Sequence, residues 1–237
     1  MKHLSRYAAP LLALQLAGCS GQQQAAVDER PAKAADTEQA APEQQRQRLV
    51  LAFGDSLYAG YGMAQQQSFP AALGRELAEA GIAAEVVNAG ISGDTTAGGS
   101  RRLAGTLDAL AAKPDLVILG LGANDALLGL PPAQMRRNLE AMLGELKRRQ
   151  IPVLLTGLIA PPGMKSPYFR QYEVIIPEVA KRYGAWIEPS LLEDVLTRRE
   201  YLQADGLHPN TRGTQRMAER VAPLAAEALE PEGADAG

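Results

Sequence analysis

The chain has 237 residues and a net charge of −3, with 24 Lys and Arg against 27 Asp and Glu. No basic block suggests a nucleic acid partner, and no run of about 18 apolar residues could span a membrane. Cys19 is the only cysteine and His3 and His208 are the only histidines, which argues against an internal disulfide, a thiolate zinc site and a histidine-based metal cluster. We therefore expect a protein without a metal, another cofactor or a nucleic acid partner.

The first 18 residues read as a targeting segment. A basic start precedes a short, mostly apolar stretch, whose length fits a signal peptide and not a membrane span. Leu16-Ala-Gly-Cys19 resembles the lipobox of bacterial lipoproteins, which implies cleavage before Cys19, its acylation and a periplasmic location. Ser20, in place of an aspartate, favours the outer membrane. The alternative is a cytosolic N-terminus with a chance cysteine.

Residues 19–48 are rich in Gln, Ala, Glu and Pro and have few large apolar side chains. Such a segment cannot bury enough surface to offset the entropy lost on ordering. We predict a disordered tether over 19–48, one folded domain over 49–229 and a disordered tail over 230–237, consistent with about 100–200 residues per domain.

Between 49 and 229, short apolar runs alternate with segments of helical periodicity. The predicted strands are 49–53, 82–87, 116–119, 153–155 and 185–187, and the predicted helices are 69–80, 100–112, 132–149, 167–183 and 210–229. Alternating strands and helices favour a parallel sheet covered on both faces. The fold prediction is therefore α/β, a flavodoxin-like three-layer α/β/α sandwich with a parallel five-stranded sheet.

The first predicted strand ends next to a serine. Residues 49–53 are all apolar, and a Gly-Asp-Ser sequence ending at Ser56 follows at once. Polar, glycine-containing loops also follow the second and third strands, around 92–95 and 122–125. Because the carboxyl ends of parallel strands lie at one edge, where open α/β sheets bind ligands, we expect these loops to form one site. Taken alone, Ser56 is equally explained as a turn residue or a helix N-cap.

Residue His208 is the natural candidate for a base that would activate Ser56. A serine nucleophile needs a group that takes its proton, and histidine serves this role near neutral pH. Asp205 lies three residues earlier, across a glycine, and can hold the other ring nitrogen. Considered singly, His208 could be a surface turn histidine and Asp205 part of a β-turn.

An acyl-transfer site also needs donors for the developing oxyanion. The candidates are the backbone N–H groups of Ser56 and Gly93 and the side-chain amide of Asn124. Gly93 could instead be an ordinary turn glycine, and Asn124 a loop cap.

Four blocks of this sequence resemble, in family order, those of the SGNH, or GDSL, hydrolases. They are Phe53-Gly-Asp-Ser-Leu57, Gly93, Gly122-Ala-Asn-Asp125 and Asp205-Gly-Leu-His208. The stretches 87–95 and 205–210 are similar to the bacterial periplasmic group of thioesterase I, lysophospholipase and arylesterase. The resemblance implies a serine nucleophile at Ser56, a histidine base at His208 and an aspartate orienter at Asp205. It also implies oxyanion donors from Ser56, Gly93 and Asn124.

The resemblance implies a metal-free serine esterase that cleaves carboxylic ester or thioester bonds of small acyl substrates through an acyl-enzyme, and we expect a monomer. The apolar residues Ala126, Leu127, Leu128 and Leu158 are candidates for acyl-chain binding, although they could pack on the core instead. Asp94 and Asp125 are expected to hold loops. Two other functions remain open: a carbohydrate O-deacetylase on the same fold, and a catalytically silent lipoprotein that binds a lipid or glycan.

Overall fold

A computed structural model describes residues 46–161 and 163–230. The strands are β1 Arg48–Gly54, β2 Ala84–Gly90, β3 Leu116–Gly120, β4 Val153–Thr156 and β5 Trp186–Glu188. The helices are α1 Ser56–Ala59, α2 Phe69–Glu79, α3 Thr96–Asp108, α4 Ala123–Leu127, α5 Pro132–Arg148, α6 Pro167–Glu173, α7 Ile175–Tyr183, α8 Glu193–Leu196 and α9 Thr211–Leu229. Two 3₁₀ turns lie at Gln65–Gln67 and Arg199–Tyr201. The predicted signal peptide, the predicted tether up to residue 45 and the tail from 231 lie outside the described residues.

The five strands form one parallel sheet in the order β2-β1-β3-β4-β5. This is the strand order of flavodoxin-like folds, and the predicted α/β/α architecture is confirmed. The strand that leads into the Gly-Asp-Ser sequence, β1, is an interior strand and pairs with β2 on one side and β3 on the other. Its carboxyl end therefore lies between the ends of β2 and β3.

Helices cover both faces of the sheet. Because strand side chains alternate, Leu51 and Phe53 of β1 pack toward α3, α5 and α7, whereas Val50 and Ala52 pack toward α2 and α9. All four of these side chains are fully buried. The apolar runs thus form strands because the fold offers them an apolar layer on each side.

The second strand begins two residues later than predicted and ends three residues later, at Gly90. Ile82 donates its N–H to the carbonyl of Leu77 at 2.8 Å, so it belongs to the turn that follows α2. Asn88 continues the strand because its side-chain amide donates to the carbonyl of Tyr58 at 2.9 Å. Hydrogen bonds to neighbouring elements, which the local pattern does not contain, set both boundaries.

Helix α3 begins at Thr96, four residues before the predicted start, and ends four residues before the predicted end. The Thr95 hydroxyl caps the helix by accepting the N–H of Gly98 at 3.3 Å. Gly99 lies within the helix and packs closely against Leu121. A Cβ at this position would stand 2.3 Å from the Leu121 side chain, so a larger residue would not fit. Gly98 and Gly99 therefore serve close packing inside the helix.

Two further differences concern helices. Residues 123–127, expected as a loop, form the short helix α4. The single helix predicted over 167–183 is divided at Val174 into α6 and α7. Pro177 explains the division, because it has no N–H to donate to the carbonyl of Glu173. Within the described residues, no helix combines the length and apolar character needed to cross a membrane.

Candidate active site

Residue Ser56 opens helix α1, directly after the carboxyl end of β1. Asp55 is the N-cap of this helix and accepts the N–H of Leu57 at 3.0 Å. Helix α1 can approach the strand ends because Gly90 and Gly120 flank the end of β1. A Cβ at Gly90 would stand 2.2 Å from the backbone of α1, and one at Gly120 would stand 2.4 Å from a side chain of α1. This glycine pair therefore allows α1 to hold the serine across the sheet edge.

A short turn brings a histidine and a carboxylate to this serine. The Nε2 atom of His208 lies 3.1 Å from the Oγ of Ser56, and its Nδ1 lies 2.7 Å from Oδ2 of Asp205. Oδ1 of Asp205 accepts the backbone N–H groups of Leu207 and His208 at 2.9 and 3.0 Å. Asp205 therefore shapes the turn and contacts the imidazole at the same time, so the turn and site interpretations are compatible.

The carboxylate of Asp205 is strongly stabilised in its ionised form. Partial burial opposes ionisation, but the backbone N–H of Leu207 and the ring and backbone of His208 donate to it and outweigh that cost. Together they lower the pKa of Asp205 to about 2. The group is thus an anion throughout the neutral range, facing the Nδ1 side of the imidazole.

Gln203 and Tyr61, which no motif in the sequence indicates, support the turn that carries His208. The side-chain amide of Gln203 donates to the carbonyls of Tyr61 and Pro209 at 2.7 and 2.9 Å. The backbone N–H of Gln203 donates to the carbonyl of His208 at 2.8 Å. The Tyr61 ring lies against the His208 ring, with 4.4 Å between ring centroids. Gln203 thereby joins the loop after α1 to the turn that carries the histidine.

Three predicted donors surround the strand ends. Among the described residues, the N–H groups of Ser56 and Gly93 take part in no hydrogen bond. Gly93 has a φ of +79°, a conformation that glycine adopts without strain. The side-chain amide of Asn124 donates to the carbonyl of Asp94 at 2.9 Å, which ties the loop of Gly93 to α4. These donors can serve an oxyanion because the loops that carry them are joined at the same edge.

A buried acid adjoins the serine. Asp55 is 3% exposed, and its Oδ2 lies 3.5 Å from the side-chain amide of Asn124. Burial is the main cause that raises its pKa from the ordinary 3.8 to about 6. The hydrogen bond from Leu57 and the charge of His208 act in the opposite direction. Sequence reasoning gave Asp55 no role beyond the motif, since its burial depends on the surrounding fold.

Two networks of polar contacts hold the loops of the site in place, one centred on Arg102 and one on Asp125. Arg102 donates to Asp94 at 2.7 Å and to the carbonyls of Ala89 and Gly54 at 2.9 and 3.0 Å. Its guanidinium also stacks on the Phe53 ring, 3.7 Å from the centroid. Arg102 lies inside α3 without a motif, so the sequence did not reveal it.

The second network centres on Asp125, which is fully buried. Its carboxylate accepts the N–H and hydroxyl of Thr96 at 2.8 and 2.5 Å. Asn138 donates to the same hydroxyl at 3.0 Å. Asp125 thereby fastens α4 to α3, and Asp94 and Asp125 both make the loop-holding contacts expected of them.

A pocket of about 130 Å³ opens beside Ser56 and His208. The apolar side chains that line it are Leu57, Leu121, Leu127, Leu158, Ile159, Pro161, Phe169, Ile176, Leu191, Leu192, Leu196 and Leu207. Apolar cavities of about 150 Å³ in other proteins admit a benzene molecule. The space therefore suits an apolar group of about that size.

Two of the four predicted substrate-binding residues, Leu127 and Leu158, line this pocket. Ala126 and Leu128 do not, which corrects the prediction for both. Since residues 123–127 are helical and not a loop, consecutive side chains point in different directions. Ala126 is 3% exposed and packs in the core, whereas Leu128 is 66% exposed on the surface.

The arrangement can activate a serine hydroxyl. The imidazole is within hydrogen-bond reach of Ser56, and a carboxylate holds its far side. Within 46–161 and 163–230, no group of three or more His, Cys, Asp or Glu side chains is placed to hold a metal ion.

The chain is similar in sequence and structure to known esterases. Residues 52–216 match the GDSL-like lipase/acylhydrolase family. The chain is 38% identical over 178 residues to an arylesterase of Vibrio mimicus, a match covering 75% of this chain and 88% of that protein. It is also 38% identical over 176 residues to the esterase TesA of Pseudomonas aeruginosa, covering 74% and 87%. The crystal structure of AlinE4, an SGNH-hydrolase family esterase, is 45% identical, with a TM-score of 0.65 and coverage of 78% and 98%.

Proposed function

The chain belongs to the GDSL-like lipase/acylhydrolase family of serine ester hydrolases, and from this premise we propose that Ser56, His208 and Asp205 cleave carboxylic esters or thioesters. The observation that carries the proposal is the continuous contact from Ser56 Oγ through the imidazole to Asp205, at 3.1 and 2.7 Å. A nucleophile, a base and an orienting carboxylate are the parts that such a reaction requires.

The reaction proceeds in two halves. The Oγ of Ser56 attacks the acyl carbonyl while Nε2 of His208 takes its proton, and the imidazolium then protonates the departing alcohol or thiol. The N–H groups of Ser56 and Gly93 and the amide of Asn124 donate to the oxyanion. Water then attacks the acyl-enzyme, with His208 taking its proton and returning one to Ser56. The Asp205 carboxylate stabilises the imidazolium in both halves.

The pocket supports a substrate with an apolar acyl or aryl group. Leu127 at the end of α4 and Leu158 after β4 both line it, and the space of about 130 Å³ exceeds what an acetyl group fills. Each buried methylene contributes about 0.8 kcal/mol. The favoured substrates are therefore esters or thioesters of medium-length acyl chains, in preference to the acetyl groups that a deacetylase removes.

The location follows from the N-terminal sequence. The lipobox-like Leu16–Cys19 supports lipidation at Cys19, with residues 1–18 as a cleaved signal and residues 19–47 as a tether to the domain, which begins with β1 at Arg48 and not at 49 as expected. The enzyme is then a monomeric lipoprotein of the bacterial periplasm, held at the outer membrane as Ser20 favours.

The assignment is tested by replacing the nucleophile and the base. Ser56→Ala and His208→Ala should each retain the fold and lose hydrolysis, by about 10²–10⁴ for the base. The double variant should be hardly slower than either single variant, because the residues act as one unit. Near-UV circular dichroism and hydrolysis of a nitrophenyl ester measure the two properties.

A fluorophosphonate probe supplies the matched control. Ser92 is an exposed serine in the neighbouring loop, so Ser92→Ala should keep both labelling and hydrolysis, whereas Ser56→Ala should lose both. Labelling that survives Ser56→Ala, or a His208→Ala variant that keeps more than a tenth of the rate, contradicts the assignment.

A further inference from the structure

Six of the seven large exposed apolar side chains of the described residues, all but Val174, lie on segments around the pocket and the nucleophile. We call these six the apolar rim: Tyr61, Ile91, Leu127, Leu128, Met164 and Tyr168. Each is 45% exposed or more. Isolated exposed apolar residues are ordinary, but a contiguous group marks an interaction surface.

Contacts place one part of the rim on the α4 side of the pocket mouth. Leu127 lines the pocket, and Leu128 follows it in the chain. The hydroxyl of Tyr168 donates to the carbonyl of Ala126 at 3.0 Å, so this ring lies beside the same turn. Three rim residues therefore border the opening on this side.

The remaining rim residues approach the mouth from other loops. The ring of Tyr61 lies against His208, as described above. The N–H of Met164 donates to the carbonyl of Pro161, which lines the pocket, at 2.9 Å. The N–H of Ile91 donates at 3.0 Å to the carbonyl of Gly54, two residues before the nucleophile. The rim thus borders the site from several directions.

Charged side chains are sparse in the segments that carry Tyr61, Leu127 and Leu128, whereas the exposed Lys165 and Arg170 flank Met164 and Tyr168, and Asp94 lies in the loop of Ile91. Residues 56–74 and 150–164 contain no Asp, Glu, Lys or Arg, and residues 116–135 contain only the buried Asp125. The opposite edge, by contrast, carries charges at the turns that enter β3 and β4, among them Lys113 and Arg148. Removing the rim from water therefore desolvates few charged groups around Tyr61, Leu127 and Leu128, and the long side chains of Lys165 and Arg170 can keep their charged ends in water.

From these observations we infer that the apolar rim docks on the surface of an aggregated, uncharged or zwitterionic amphiphile, such as a phospholipid bilayer or micelle. The occupant is identified by continuity, because the rim runs through Leu127 into the apolar lining of the pocket. An acyl chain can pass from the lipid phase to Ser56 without crossing water. The inference rests on the proposed function, since it concerns how that site receives its substrate.

The test uses the full chain with Ser56→Ala, which prevents turnover, and Cys19→Ser, which prevents acylation. The rim variant adds Leu128→Asp and Met164→Asp, neither of which lines the pocket. The matched control adds Ala83→Asp and Ala112→Asp, two exposed residues at the opposite edge that introduce the same charge. Partitioning onto phosphatidylcholine vesicles is measured by flotation. The N-terminal region is common to all three chains, so its contribution cancels in the ratios.

The rim variant should partition at least about tenfold less than its parent, whereas the control should stay within about twofold. With Ser56 restored, both should hydrolyse a monomeric acetyl ester at the parent rate, and only the rim variant should lose rate on micellar esters. Equal partitioning of the two variants overturns the inference. A wild-type dimer that the rim substitutions dissociate also overturns it, because the rim would then bind a second copy.

Failure of the docking inference and failure of the proposed esterase function give different results in these experiments. If the chain with Ser56 intact hydrolyses no ester while the rim variant still loses partitioning, docking stands and the esterase assignment does not. If monomeric esters are hydrolysed but partitioning is unchanged, the esterase assignment stands and docking does not.

Discussion

The buried carboxyl group of Asp55 should make the stability of this protein fall as pH rises through the weakly acidic range. In the folded protein Asp55 holds its proton up to a pH of about 6, mainly because burial disfavours its charge. In the unfolded chain it ionises near its ordinary pKa of 3.8. Between these values the folded state binds more protons, so the free energy of unfolding decreases as pH rises. The full decrease corresponds to about 3 kcal/mol.

The substitution Asp55→Asn isolates this effect. Asparagine is as good an N-cap as aspartate and can still accept the N–H of Leu57, but it does not titrate. Its amide meets the amide of Asn124, which adds a destabilisation that is the same at every pH. The wild-type free energy of unfolding minus that of the variant should therefore fall by about 2.4 kcal/mol between pH 4 and pH 7.5, since part of the full decrease has already occurred by pH 4.

Urea denaturation at several pH values, followed through the fluorescence of Trp186, the only tryptophan, measures the difference. Ser68→Ala is the matched control, because it removes the N-cap of α2 without removing a titrating group. The wild-type free energy of unfolding minus that of Ser68→Ala should be the same at pH 4 and pH 7.5. A wild-type minus Asp55→Asn difference that does not change with pH, or that rises with it, would refute the reasoning.

Two further predictions follow from the pocket and from the N-terminus. Lengthening the acyl chain by four carbons should raise kcat/KM by about two orders of magnitude, and Leu127→Asp should flatten this dependence while Leu128→Asp leaves it intact. A chain-length panel of nitrophenyl esters tests this, and equal effects of the two substitutions would contradict it. Cys19→Ser should move the protein from the membrane fraction to the soluble fraction with its hydrolysis rate in solution unchanged. Fractionation and assay of both forms test this, and an unlipidated protein that stays with the membrane would contradict it.

The sequence predicted the sheet, and it singled out Ser56, Asp205 and His208, which the structure brings into contact, because both depend on local patterns. A run such as 49–53 is apolar because a strand buried on both faces requires it, and Ser56 follows directly where that strand ends. Asp205 and His208 lie within one turn, so their spacing alone suggested that they could meet. Features of this kind can be recognised before any long-range contact is known.

The missed features depend on contacts between distant parts of the chain. Gln203 bonds to the carbonyl of Tyr61, 142 residues away in sequence, and no local pattern indicates that pairing. In the sequence Arg102 looks like any other helical arginine, and only the fold places the carbonyl of Gly54 within hydrogen-bond distance of its side chain. Leu128 was misplaced for a related reason, because the direction of a side chain depends on whether its segment is helical.

The interior position of β1 in the sheet also has a consequence for the order in which the protein can fold. The strand is the first element of the described domain, yet one of its neighbours, β3, begins 68 residues later, at Leu116. One of its faces is covered by α9, the last helix of the described residues. An incomplete chain therefore cannot bury the strand that leads into Ser56, and contacts of such long range slow folding. This topology therefore delays burial of β1 until α9 has been synthesised.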